Sequence, residues 1–163
     1  MKTIKIFCAI MASVVLITGC YTNSSEKDIA VQDCDKIIQC IKEENAEELK
    51  QMFCITILDS NVDLDEQIEN AFDFIDGEIV SYNYLIGSES ISVDEGKRTR
   101  YQIYPSIRNI KTNNNNEYTI YFYKYVICLE NPNKEGISQI DIVNESGEEI
   151  HIGDVYTVDP YLK

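Results

Sequence analysis

Glu117 to Leu129 (E-Y-T-I-Y-F-Y-K-Y-V-I-C-L) is the stretch that most restricts how this chain can fold. Its pattern has a period of two, and both faces are apolar. Ile120, Phe122, Val126 and Cys128 fall on one side, with Tyr121, Tyr123, Tyr125, Ile127 and Leu129 on the other. A strand of that kind belongs in the middle of a sheet, with both faces covered. Lys124 falls among the purely apolar set, which requires a bulge or the end of the sheet at that point.

Strand patterns flank it on both sides. Glu78 to Ile86 alternates, placing Val80, Tyr82, Tyr84 and Ile86 on one face, and Gly87 to Lys97 reads as a polar turn region. Arg98 to Ile110 carries Tyr101, Ile103 and Ile107. Pro105 marks an edge strand or a bulge, and the step from Ile107 to Ile110 breaks parity. After an asparagine-rich turn and the central strand, Glu130 to Gly136 turns into a strand at Ile137 to Asn144. Ser146-Gly147 turns again, and Ile150 to Val158 predicts a last strand.

Before the strands the period is helical. Ile29, Cys34, Ile37, Ile38 and Ile41 share one face of a helix within Asp28 to Glu44, and Ala46 to Phe53 predicts a second. Cys54 to Leu58 is either an extended link or a frayed continuation. A third helix starts at Asp63, which has the composition of a cap with Glu66 three residues on. It carries Leu64, Ile68, Ala71, Phe72 and Ile75, and Gly77 ends it. Asp59, Asn61 and Asp63 do not make a calcium loop, because Leu64 and Asn70 stand where glycine and glutamate are needed. The expected fold class is therefore α+β. Three N-terminal helices pack on a curved antiparallel sheet of four to five strands.

The N-terminus carries an address. Lys2 and Lys5 precede an apolar run from Ile6 to Ile17, which Thr18, Gly19 and Cys20 close. The run is short for a permanent membrane helix, which takes about 20 apolar residues. It reads as a signal peptide. An aliphatic residue, two small ones and a cysteine resemble the bacterial lipobox, which implies cleavage before Cys20 and acylation of that cysteine. The expected organisation is a signal at 1–19, a tether at 20–27, one domain at 28–158 and a tail at 159–163. The tether spans at most about 25 Å.

Charge and cysteines narrow the function. The chain carries 28 acidic against 14 basic residues, a net charge of −14, and loss of Lys2 and Lys5 with the signal takes it to −16. Nucleic acid needs a basic footprint, so it is not an expected partner. Anionic lipid repels the same surface, so the expected membrane contact is the acyl chains on Cys20 alone. Cys34, Cys40, Cys54 and Cys128 remain in the mature domain without zinc-site spacing. They read as buried thiols, with a Cys40–Cys54 disulfide as the alternative.

Several strings carry a resemblance: Leu49-Lys50-Gln51-Met52-Phe53, Asp63-Leu64-Asp65-Glu66-Gln67-Ile68, Phe74-Ile75-Asp76-Gly77, and Asn131 to Ile137 with Ile140. Over roughly Asp28 to Val143 the chain resembles a family of bacterial lipoproteins, domain-of-unknown-function family 5104. Cys54 departs from it, standing where that family is expected to have serine. The helices-then-sheet order is also similar to the cone of the nuclear transport factor 2-like (cystatin-like) superfamily. That fold hosts enzymes, carriers and interaction modules alike, so the likeness implies no particular activity.

The residues themselves show no nucleophile elbow, phosphate loop or metal triad, and no cofactor is expected. The single histidine, His151, should point away from Ile150 and Ile152 and reads as structural. The tyrosines are more informative, because a phenol joins an apolar body to a polar tip. Tyr82, Tyr84, Tyr121, Tyr123 and Tyr125 are the candidate binding residues, against the plainer reading that tyrosine is a good strand former. The expectation is a non-catalytic binding or protein-interaction domain, lipid-anchored on the outer face of the cell membrane, meeting a protein partner or an apolar ligand. A small-molecule enzyme at the cell surface is the alternative.

Overall fold

A computed structural model describes residues 26–160. Its main element is a five-stranded antiparallel sheet in the sequential order β1-β2-β3-β4-β5. The strands are β1 Ile79–Asp94, β2 Lys97–Thr112, β3 Glu117–Cys128, β4 Gly136–Asn144 and β5 Glu149–Gly153. The strand that is apolar on both faces is indeed the central one.

The expected layer of three N-terminal helices does not form. Four segments precede the sheet instead: α1 Glu26–Lys42, α2 Ala46–Lys50, α3 Ile55–Leu58 and α4 Leu64–Phe74. Two of these are scarcely more than a turn. The reason lies in residues 52–54, which the sequence assigns to the end of a helix or a link. The Cys54 N–H donates to the Ile137 carbonyl (2.9 Å), and the Ile137 N–H donates to the Met52 carbonyl (3.0 Å). Backbone groups spent on β4 cannot extend a helix, so α2 stops at Lys50 and α3 restarts the chain as a separate turn. The α+β cone drawn from the sequence is therefore not this molecule's architecture.

One main cluster of side chains holds the chain together. Ile37, Leu49 and Ile68 from the helices join Ile107, Ile120, Phe122, Ile140, Ile142 and Ile152 from the sheet, all at 0 or 1% exposure. Asn45 caps α2, its side-chain oxygen accepting from the Glu48 N–H at 3.1 Å. Asp63 caps α4 in the same way through the Glu66 N–H at 3.1 Å. Beyond Phe74, Gly77 takes the left-handed conformation (φ 95°). The chain is then clasped to the β2–β3 turn: Asn114 and Asn116 donate to the two carboxylate oxygens of Asp76 at 2.8 and 2.9 Å. The asparagine run is thus a fastening as well as a turn.

Two strand assignments change. β1 runs on through Gly87, which the sequence places in a turn, and the reversal comes at Glu95 and Gly96, both with positive φ. A Cβ at Gly87 would sit 1.8 Å from the Tyr104 carbonyl oxygen, so glycine lets the strand continue close past its neighbour. At the other end β5 stops at Gly153. Asp154 then caps a short helix, α5 Val155–Val158, by accepting from the Tyr156 N–H at 2.9 Å. The parity break between Ile107 and Ile110 is a bulge, with Asn109 at φ 51°. Pro105 lies in an interior strand, facing the register shift on β1 rather than an edge.

Candidate binding face

Strand register sorts the side chains into two faces. Ile120 stands opposite Ile107 and Ile142, and all three point into the core. Tyr121 stands opposite Ser106 on β2 and Asp141 on β4, so these three share the other face, away from α1 to α4. Tyr123 pairs with Gln139 on that same face and meets the ring of Tyr104 edge-on, 5.2 Å between centroids at 78°. Asp141 in turn faces His151 on β5.

The tyrosines expected to bind do not all meet here. Tyr121, at 40% exposure, and the half-buried Tyr123 do. Tyr125 is 3% exposed and donates its hydroxyl to Asp159 at 3.0 Å, beyond α5. Tyr82 reaches toward the helices, donating to Asp35 on α1 at 3.1 Å. Tyr84 stands opposite Ile107, on that same side, yet is 43% exposed. Cys20 lies outside the described residues. Tyr104 was not singled out from the sequence, although its parity, opposite to Tyr101 and Ile103, places it with Tyr121 and Tyr123.

The face is polar beneath its rings. Ser106 is buried and accepts from the Arg108 Nε at 3.0 Å. Asp141 is buried and accepts from the Gln139 amide nitrogen at 2.5 Å. Burial, first, and the neighbouring Glu149 raise the Asp141 carboxyl above its ordinary range, while the Gln139 bond and His151 oppose the shift. Burial likewise raises the phenols of Tyr104 and Tyr123, helped by Asp159 and Asp141 respectively. Both are therefore neutral hydrogen-bond donors at physiological pH. Beside this face, a cleft of about 480 Å³ opens between the loop before α4 and the β5–α5 corner, with Gln139, His151 and Tyr156 in its wall.

The model of a domain of unknown function (DUF5104) matches residues 36–145. The chain belongs to this family. No curated protein matches it. The DUF5104 span runs from within α1 to just past β4, so it takes in Tyr104, Tyr121, Tyr123, Gln139 and Asp141. β5 and α5 lie beyond it. Among the described residues, no helix of this DUF5104 chain is long and apolar enough to cross a membrane.

Proposed function

We propose that this protein is a non-catalytic binding domain, held on the extracytoplasmic face of the cell membrane by acyl chains on Cys20, and that its contact surface is the sheet face carrying Tyr104, Tyr121 and Tyr123. The observation that carries the reading is the exposure of Tyr121 on the sheet face opposite α1 to α4, beside two further rings and short of the part that α5 covers. Aromatic side chains with a polar tip supply contact area at little entropic cost, which suits a protein partner or an apolar ligand. The anchor half rests on Lys2, Lys5, the apolar run and Ile17 to Cys20.

Each half has its own test. Cells expressing the chain and fed labelled palmitate incorporate label, and Cys20→Ala abolishes it; label that survives the substitution removes the anchor. For the face, Tyr121→Ser is expected to cost no more than about 2 kcal/mol in urea unfolding, since 40% of Tyr121 stays exposed in the folded state. A cost above about 3 kcal/mol, as for a buried aromatic, would mean Tyr121 is ordinary core. Loss of self-association or of a co-purifying partner in Tyr121→Ser/Tyr123→Ser, at near-native stability, supports the reading.

A further inference from the structure

Three donors of mixed chemistry come together where β4 meets β5. Asp141 stands directly opposite His151, and Val143 opposite Glu149. Glu149 and His151 are two apart on β5, so both project on the face that carries Asp141. One ligand atom from each of the three lies within 4.8 Å of the others. The closest approach of imidazole to carboxylate, His151 Nδ1 to Asp141 Oδ1, is 4.0 Å, too long for a hydrogen bond. From these positions we propose that Asp141, Glu149 and His151 form a binding site for one divalent first-row transition ion of the zinc type.

The donor set selects the ion class. One imidazole and two carboxylates suit zinc and its neighbours, whereas calcium takes six to eight oxygens. A tetrahedral ion at zinc distances holds its donors roughly 3.3 Å apart, so the three groups need to close by about an ångström. Glu149 and His151 are exposed and able to move, while Asp141 is the fixed member, its side chain only 10% exposed.

What fixes Asp141 is a support of the kind that orients metal ligands. The Val155 N–H donates to Gln139 Oε1 at 2.9 Å, which sets the amide so that its nitrogen faces Asp141 and donates to Oδ1. A carboxylate offers about four acceptor positions, so this single bond leaves room for an ion. Two acidic groups held together in a chain of net charge −14 also give a cation a favourable field. The site stands or falls independently of the tyrosine reading, because none of its ligands is a tyrosine.

Isothermal titration of the full chain in mild detergent with zinc chloride tests it. The expected result is one Zn²⁺ per chain with micromolar affinity, unaffected by 1 mM Ca²⁺. His151→Ala and Asp141→Asn should each weaken it at least tenfold, while circular dichroism without zinc remains that of the parent. Asp141→Asn retains the shape and the acceptor for Gln139, so it reports on the ligand rather than on folding. The proposal is overturned by absence of uptake at 100 µM zinc, or by undiminished affinity in either variant, which would place the ion elsewhere, for instance on the cysteines.

Discussion

Lys124 shows at the residue scale what one sequence position can and cannot reveal. Its parity puts it among apolar neighbours on β3, and that conflict was legible: a bulge or a sheet end was required. The structure supplies a register shift between Tyr123 and Lys124 against β4, and a partner besides. The Lys124 ammonium donates to both carboxylate oxygens of Asp33 at 2.8 and 2.7 Å, with side chains 20 and 14% exposed. That partner is 91 residues away on α1, and nothing local in the sequence points to it. Lys124→Met leaves Asp33 half-buried and uncompensated, so it should cost about 3 kcal/mol in urea unfolding. Adding Asp33→Asn should recover much of that loss, and a double-mutant cycle would read the coupling.

Cys34 makes a second residue-scale prediction. Burial, then Asp33 and Asp35, push its thiol up to about 12. The folded state therefore keeps its proton at a pH where the unfolded chain, near 8.5, has lost it. The stability from this group is fully present below pH ~8.5 and is lost as pH rises toward 12, at about 1.4 kcal/mol per pH unit. Cys34→Ala should show a shallower loss of stability between pH 9 and 11 than the parent. Equal slopes would mean that the thiol is not held neutral by the fold.

Among the elements, α4 was the most legible, because its signals are local. Asp63 does cap it, and Leu64, Ile68 and Ala71 are buried as their spacing requires. Asp63→Ala should cost about 1 kcal/mol. Ile68→Asp should unfold the domain, since an unpaired buried charge costs several kcal/mol against a total of about 5–15 kcal/mol. Denaturant melts check both, and equal small losses would show that this stripe is not core. Two of the elements that sequence misjudged depend on distant backbone. α2 is cut short by the hydrogen bonds of residues 52–54 to Ile137, and β1 is prolonged because Gly87 can pass the Tyr104 carbonyl. Local periodicity carries no information about either contact.

For the molecule as a whole, the central place of β3 and the sheet's antiparallel order were readable from alternation and turns. The way the tyrosines divide was not. Tyr121, Tyr123 and Tyr125 alternate perfectly in sequence, yet the segment around Asp159 closes off Tyr125, and only the first two remain near the surface. The cluster of Asp141, Glu149 and His151 was equally hidden, because a β4–β5 register is needed to see that His151 meets a carboxylate at all. Together these place aromatic and polar groups on one sheet face.

The availability of that face in the living cell is the central claim, and site-specific photo-cross-linking reads it directly. A photoreactive benzoylphenylalanine is placed at Tyr121 in the full chain, and in a control at Glu47, which is exposed on α2. Cells are irradiated, and the intact protein is weighed by mass spectrometry, so that a small ligand and a protein partner both register. The account predicts a discrete mass increment from position 121 that is absent from position 47. No adduct at 121, or the same adduct from both positions, would contradict it.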